Sequence, residues 1–309
     1  MNGNGAGVID VAGVIPAGAE LTCVVSGAIW SEGPVWLAEP GVLRWSDIPA
    51  NRILEVDPLD GQLIVHRTDV EFTNGRTLDL DGHVVQCSHG RRSIEREIDG
   101  IVTTLVDSWG GARFNSPNDV IVASDGAVWF TDPPYGIVQP NEGHLAEREY
   151  GGNFVFRFDP ITGEVAPMIT DVEEPNGLAF SPSEAILYVA DSSAVLNVEG
   201  NGNHHIVAYD VLTDFACVNK RVLAVIEPGV PDGLRVDDAG RVWTSSFDSV
   251  QVFEPDGTFA ARIPIPERVG NLCFGGADGS TLFVAAATSI YSIQTLTRQA
   301  RRPSRGGIA

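Results

Sequence analysis

One sequence unit recurs six times in this chain of 309 residues: a polar pair, an apolar strand, a turn containing glycine and a second strand. The copies begin at residues 32, 74, 118, 176, 232 and 270, so their spacing ranges from 38 to 58 residues. A four-stranded propeller blade takes about 40 to 50 residues. The repeat therefore predicts an all-β fold, a six-bladed β-propeller with four-stranded blades.

Tight turns separate the predicted strands. The dipeptides Asp81-Gly82 and Asp125-Gly126 each lie between two apolar runs, and Asp-Gly supplies the positive φ angles that hairpin turns require. The last blade lacks one strand, which residues 21–25 can provide, and we expect this N-terminal strand to close the ring. The predicted organisation is an N-terminal extension (1–18), a single propeller domain (19–297) and a basic C-terminal tail (298–309).

Charge and composition exclude several classes of function. The chain has 20 Lys and Arg against 41 Asp and Glu, a net charge of −21 that repels nucleic acids and anionic lipids. No apolar run is long enough to span a membrane, and the N-terminus lacks the features of a signal peptide. The four cysteines are predicted to be buried free thiols in a reducing compartment. We expect a cytoplasmic protein without nucleic-acid or membrane partners; the sequence carries no signal for its oligomeric state.

The first residue of each repeat lies at the start of the innermost strand, which lines the channel of a propeller. Five of these six residues carry oxygen, and carboxylate and amide oxygens without thiols or imidazoles are typical ligands of a hard divalent cation. The alternative is that the Asn-Gly and Asp-Gly pairs only form turns. The change of residue type between matching positions favours a shared metal site. The five residues are Glu32, Asn74, Asn118, Asn176 and Asp232.

Five motifs carry a resemblance to a known family. They are residues 32–36 (Glu-Gly-Pro-Val-Trp), 113–119 (Arg-Phe-Asn-Ser-Pro-Asn-Asp), 130–136 (Phe-Thr-Asp-Pro-Pro-Tyr-Gly), 175–181 (Pro-Asn-Gly-Leu-Ala-Phe-Ser) and 231–234 (Pro-Asp-Gly-Leu). In this order, over residues 20–295, they resemble the gluconolactonase / senescence marker protein / luciferin-regenerating enzyme family. The resemblance implies a six-bladed propeller that holds a divalent metal ion in its channel and hydrolyses sugar lactones or similar esters.

The resemblance also implies a ligand set. It assigns the metal to Glu32, Asn118, Asn176 and Asp232. All-oxygen ligation favours Ca²⁺, with Mg²⁺, Mn²⁺ and Zn²⁺ as alternatives. A small lactone is the expected substrate. In the implied reaction the metal acts as a Lewis acid on the lactone carbonyl, and Asp232 is the general base for the attacking water. A metal-bound hydroxide is the competing account.

Five further residues are candidate substrate contacts. Arg113 and Asn115 are implied by the resemblance, and Asn74 lies at the predicted channel mouth. His89 either binds a substrate oxygen or satisfies a buried loop. Tyr135 follows an inner hairpin, where it could close over the channel. Residues 137–151 form a polar insertion that is either a lid or a surface loop.

Two other functions stay open at this point. The same metal site could cleave a phosphotriester or another ester. Alternatively, the propeller is a non-catalytic binding module whose ion is structural, because a fold alone does not define a function.

Overall fold

In the part of the chain that the structure describes, six antiparallel β-sheets each form one blade of a propeller. The structure is a computed structural model and describes residues 7–197 and 199–303. The innermost strand of each blade contacts the innermost strands of both neighbouring blades, and the sixth contacts the first. The predicted six-bladed β-propeller is therefore confirmed.

The strands follow chain order from the inside of each blade to the outside. Blades one to three consist of Ser31–Leu37, Val42–Asp47, Arg52–Val56 and Leu63–Thr68; Thr73–Leu78, Val84–Ser88, Ser93–Ile98 and Ile101–Val106; and Val120–Val122, Val128–Asp132, Phe154–Phe158 and Val165–Ile169. Blades four to six consist of Pro175–Phe180, Ile186–Asp191, His205–Val211 and Cys217–Val225; Leu234–Val236, Val242–Ser245, Ser249–Phe253 and Phe259–Pro264; and Val269–Gly275, Thr281–Ala286 and Ser289–Gln294.

Shorter or separate elements complete the fold. They are a two-stranded ribbon, Ser108–Trp109 with Ala112–Arg113; the α-helix Tyr135–Val138; the 3₁₀ helix Ser193–Val195; and the N-terminal strands Ile9–Asp10 and Thr22–Ser26. No helix in these two described ranges is long and apolar enough to cross a membrane.

Strand Thr22–Ser26 closes the ring, as predicted. It pairs with Ser289–Gln294 as the outer strand of blade six, with Ser26 opposite Ser289. The sequence does not predict the pairing of Ile9–Asp10 with the outer strand of blade five. The C-terminal segment also reaches blade five, where the Ala300 amide donates to the Val236 carbonyl. Residues 1–6 and 304–309 of the predicted extensions lie outside the described residues.

The Asp-Gly turns adopt the geometry that the sequence predicts. Gly82, Gly126 and Gly257 have φ angles of +87°, +90° and +86°, a region that other residues rarely adopt. In the first of these turns the Asp79 carboxylate accepts hydrogen bonds from the amides of Asp81 and His83. Local side-chain contacts therefore hold the hairpins in register.

Most of the apolar core lies between neighbouring blades. Five buried clusters fill the interfaces of blades two to six and the interface that joins blade six to blade one. Trp45, Trp129 and Trp243 are almost fully buried on the second strands of blades one, three and five. Side chains of this size contribute about 1.5–3 kcal/mol or more each when buried, so the clusters dominate stability.

The interface between blades one and two is polar instead. Arg76 is fully buried there and donates to the Gly33 carbonyl and the Ser46 hydroxyl. Burial lowers its pKa to about 9. Farther out, Arg44 pairs with Glu55 at 2.6 Å and contacts Glu97 at 3.3 Å. Hydrogen bonds and ion pairs thus fix the relative position of these two blades.

The cysteine prediction is correct in part. All four cysteines are free thiols. Cys87 and Cys273 are buried, but Cys217 is only half-buried and Cys23 is exposed. The prediction of burial is wrong for Cys23 because the closing strand that carries it forms the solvent-facing edge of blade six.

Candidate functional site

The repeat positions lie at one end of the channel because the inner strands all begin there. In four blades the regular pairing of the inner strand is interrupted within the repeat unit: at residues 32–35, 73–76, 175–178 and 269–271. Such a bulge changes the direction of a side chain relative to the ladder. In blades three and five the unit precedes the short inner strand.

The glycine of the polar-glycine unit has a packing role. A Cβ atom on Gly33 would lie 2.1 Å from the Asn74 carbonyl oxygen, and one on Gly177 would lie 2.0 Å from the Asp232 carbonyl oxygen. These glycines therefore let the inner strands that carry them approach the next strand around the ring. Steric contact, in addition to turn formation, explains why glycine recurs.

These strand ends surround a cavity of about 350 Å³. All four predicted metal ligands line it, together with Asn74 and Tyr135 from the predicted substrate contacts. The complete lining is Ile29, Trp30, Glu32, Ile48, Pro49, Asn74, Asn118, Tyr135, Gln139, Asn141, Glu142, Asn176, Val195, Asp232 and Arg268.

A row of side-chain amides crosses the floor of the cavity. Asn74 Nδ2 donates to Asn118 Oδ1 at 2.7 Å, and Asn118 Nδ2 donates to Asn176 Oδ1 at 2.6 Å. The Asn176 side chain in turn hydrogen-bonds the Asp232 carboxylate. A carbonyl oxygen has two lone pairs, so each amide oxygen in the row can accept one hydrogen bond and still bind a cation.

Two carboxylates complete the floor. Glu32 is 3% exposed, and its carboxylate accepts hydrogen bonds from Asn271 Nδ2 and the Gly33 amide, both at 3.2 Å. Burial raises the pKa of Glu32 well above its usual value, and the negative charge of Asp232 raises it further. Burial likewise raises the pKa of Asp232 to about 8. Neither group forms an ion pair within the described part of the chain.

This donor set fits a divalent cation. Carboxylates removed from water are normally paired with a positive group or bound to a metal, and the buried Glu32 and half-buried Asp232 have no such protein partner among the described residues. The neighbouring donors are amide oxygens, which add ligands without adding repulsion. Among the described residues, no thiol or imidazole lines the cavity. The chemistry of the lining therefore fits Ca²⁺ or Mg²⁺ better than a soft metal.

Asp119 lies behind the ligands and has no role in the sequence-based predictions. It is buried, its pKa is raised to about 6 by burial, and Arg235 lies 3.9 Å from its carboxylate. Its side chain also contacts Asn271, which holds Glu32. The third repeat has this aspartate where four other copies have glycine. That exception is the signal that could have identified it.

Three predicted substrate contacts lie outside the cavity lining. Arg113 is exposed, and its guanidinium donates to the Arg91 carbonyl. Asn115 is fully buried, and its amide group donates to the carbonyls of Asp132 and Gly152. Since the structure does not bring these two residues to the cavity, we leave both out of the proposed site.

His89, the third, supports the cavity from behind. It is buried, and its Nδ1 donates to the Glu142 carbonyl at 2.9 Å. Nε2 lies 3.3 Å from the Asn74 side-chain amide. Burial lowers the pKa of His89 to about 4, so the imidazole is neutral at pH 7. These contacts correspond to the buried-loop alternative of the sequence analysis.

The insertion at residues 137–151 forms part of the cavity wall. Besides the His89 contact, His144 lies 2.9 Å from Glu71, and Glu149 pairs with Arg92 at 3.2 Å. The segment contributes Gln139, Asn141 and Glu142 to the lining. Trp30 and Arg268 complete the opposite side of the mouth, and none of these five residues was a sequence-based candidate.

A separate cluster of possible ligands lies on the second-blade hairpin. Carboxylate oxygens of Asp79 and Asp81 and a ring nitrogen of His83 lie within 4.8 Å of one another. The Asp79 carboxylate already accepts two amide hydrogen bonds that hold the turn. These residues do not line the cavity described above.

Comparison with known proteins gives consistent matches over nearly the whole chain. Residues 30–288 match the family model described as SMP-30/Gluconolactonase/LRE-like region. The gluconolactonase of Zymomonas mobilis is 31% identical, over 96% of this chain and 88% of that protein. The solved structure of a gluconolactonase from Xanthomonas campestris matches with a TM-score of 0.85 and 36% identity, over 94% of this chain and 96% of that one. Regucalcin from Agrobacterium tumefaciens, a calcium-binding protein, shares the fold (TM-score 0.71, 18% identity, 90% of this chain and 94% of that one).

Proposed function

The chain belongs to the SMP-30/gluconolactonase/LRE-like family, and on that premise we propose a metal-dependent hydrolysis of sugar lactones at the cavity. The protein is a gluconolactonase-like hydrolase. The proposed ligands of its divalent cation are Glu32, Asn118, Asn176 and Asp232. The observation that carries the proposal is the convergence of these four side chains, from four different blades, on one cavity in which no cationic side chain of the described residues forms an ion pair with Glu32 or Asp232.

The relatives favour a lactone over the other substrates considered above. Both the Zymomonas and the Xanthomonas proteins are gluconolactonases by name. Ca²⁺ is the proposed ion because the ligands are oxygens and because a relative of the same fold is a calcium-binding protein. The cytoplasmic location stays a prediction.

The side chains of the cavity have different proposed roles in the reaction. When bound, the cation supplies a Lewis acid that polarises the lactone carbonyl. Glu32 and the amides of Asn118 and Asn176 position the reacting centre. Asp232 accepts the proton of the attacking water, and the side chain of Asn176 orients its carboxylate. Tyr135 and the insertion wall limit the access of bulk water.

Initial rates of gluconolactone opening test the proposal. Metal-stripped protein is assayed in a pH-stat, with the spontaneous rate subtracted, and each of Ca²⁺, Mg²⁺, Mn²⁺ and Zn²⁺ is restored in turn. We expect no turnover in EDTA, recovery with Ca²⁺, and no recovery for Glu32→Gln with any ion. The matched control, Glu164→Gln, changes an exposed carboxylate on the outside of blade three and should behave as wild type. Full activity in EDTA, or an active Glu32→Gln protein, would contradict the proposal.

A further inference from the structure

The mouth of the cavity carries one acidic and one basic side chain that the proposed chemistry does not use. Glu142 belongs to the insertion after blade three's second strand, and Arg268 immediately precedes strand Val269–Gly275. Both line the same cavity. Within residues 7–197 and 199–303, neither side chain has a hydrogen bond, and neither has an ion-pair partner within 4.0 Å. The two groups therefore face a shared space without neutralising each other by contact.

Aromatic rings fix the orientation of Arg268. Its guanidinium carbon lies 5.3 Å from the centre of the Trp30 ring and 5.8 Å from that of Phe247. Contacts of this kind hold the planar group and leave its N–H edges available to a ligand. The positive charge of Arg268 lowers the pKa values of Glu142 and Asp232, against the larger effect of burial. The charge of Arg268 thus influences Glu142 at the rim of the cavity and Asp232 on its floor.

Backbone contacts fix Glu142. Its amide donates to the Gln139 carbonyl at 3.0 Å, and its carbonyl accepts from His89. The next residue, Gly143, packs so closely on Gly136 that a Cβ would lie 2.2 Å from the Gly136 carbonyl oxygen. The half-buried carboxylate consequently lies on a restrained segment, beside the amide side chains of Gln139 and Asn141.

This combination has a definite ligand chemistry. A hydroxyl group both donates and accepts hydrogen bonds, so a polyol matches a carboxylate acceptor, a guanidinium donor and two amides together. An anionic substituent would be attracted by Arg268 but repelled by Glu142. The apolar surfaces of Trp30 and Ile48 can cover the C–H face of a ring.

We propose that Glu142 and Arg268 are specificity-determining residues that bind the hydroxyls of a neutral, polyhydroxylated lactone, remote from its carbonyl. This inference rests on the proposed lactonase function. Because neither residue belongs to the proposed ligand set, their loss should weaken the binding of hydroxylated substrate more than it changes the chemistry at the carbonyl.

Two lactones of the same ring size separate an effect on the binding of hydroxyl groups from an effect on the reaction at the carbonyl. Glucono-δ-lactone carries the hydroxyls, and δ-valerolactone lacks them. We expect Glu142→Ala to lower kcat/KM for gluconolactone by about 10- to 100-fold, mainly through KM, because a hydrogen bond to a charged group is lost. For valerolactone we expect less than about a 2-fold change. Glu142→Gln, which keeps an acceptor, should recover part of the loss. Arg268→Met should also lower kcat/KM more for gluconolactone than for valerolactone, with an additional loss common to both lactones because the charge of Arg268 acts on Asp232.

Glu147→Ala is the matched control, since Glu147 is exposed on the same insertion and does not line the cavity. Calcium titration by calorimetry should give Glu142→Ala a wild-type affinity. Equal losses on both lactones, or a weakened calcium affinity, would overturn the inference. So would a wild-type preference for an anionic lactone such as 6-phosphogluconolactone. A wild-type protein inactive on every lactone would instead refute the proposed function itself.

Discussion

Replacing Asp232 by asparagine should stabilise the metal-free protein while it abolishes catalysis. The change keeps the shape of the side chain and removes its charge. In the folded chain, burial and the charge of Asp119 raise the pKa of Asp232 from 3.8 to about 8. At pH 7 the folded protein must therefore bind a proton that the unfolded chain has released. The free energy of folding therefore includes the cost of binding this proton in the wild type, but not in the variant.

The size of the effect follows from the pKa values. At about 1.4 kcal/mol per pKa unit, the cost at pH 7 has an upper bound of about 4 kcal/mol. Because water reaches the half-buried side chain, we expect about half of this, roughly 2 kcal/mol. The direction of the Asp232 pKa shift also determines how the stability of the metal-free protein depends on pH. The stability of the metal-free wild type should fall as pH rises from about 4 to about 8, and the Asp232→Asn protein should lose much of that dependence.

Urea unfolding in EDTA measures the cost of the Asp232 charge in the metal-free protein, and unfolding in excess Ca²⁺ measures the stabilisation by the ion. In EDTA at pH 7 the variant should be the more stable protein. In Ca²⁺ at 100 times its Kd the wild type gains about 2.7 kcal/mol, so the order should reverse. Glu164→Gln should match the wild type within about 0.5 kcal/mol in both conditions. A variant less stable than wild type in EDTA would refute the argument from buried charge. Equal stabilisation of both proteins by Ca²⁺ would refute the role of Asp232 as a ligand.

Two further predictions concern the residues around the ligands. In Gly270→Ala the new Cβ would lie 2.2 Å from Glu32 Oε1, so the carboxylate must move, and calorimetry should show calcium affinity at least about 10-fold weaker. The control is Gly151→Ala, where no atom of the described residues lies within 4 Å of the added Cβ, and it should bind calcium as tightly as the wild type. Equal calcium affinities of the Gly270→Ala and Gly151→Ala proteins would contradict the packing argument. His89, whose pKa burial lowers to about 4, should stay neutral between pH 5 and 8. Titration of its ring in NMR spectra above pH 5 would contradict its burial.

The fold was predictable because the repeat reflects a steric requirement that glycine meets in four of the six repeats. Gly33 and Gly177 allow adjacent inner strands to approach closely, and the preceding Glu32 and Asn176 line the channel. The closing strand was predictable because the sixth repeat is one strand short. Periodic constraints of this kind are visible in a single sequence.

The rim of the cavity was not predictable in the same way. Glu142 and Arg268 come from connections between strands, which follow no repeat, and only the closed ring brings them to one mouth. Asn115 is the reverse case, a residue that the sequence analysis placed at the site and the structure places elsewhere. It is three residues from Asn118, yet its amide group donates to the carbonyls of Asp132 and Gly152, so nearness in sequence did not bring it to the site.

A crystal structure of the protein with Mn²⁺ or Ca²⁺, located by anomalous scattering, tests the central claim most directly. We predict one peak in the cavity, with oxygens of Glu32, Asn118, Asn176 and Asp232 at about 2.1–2.6 Å from the ion. An empty cavity at saturating metal, or a peak only at the Asp79, Asp81 and His83 hairpin, would contradict it.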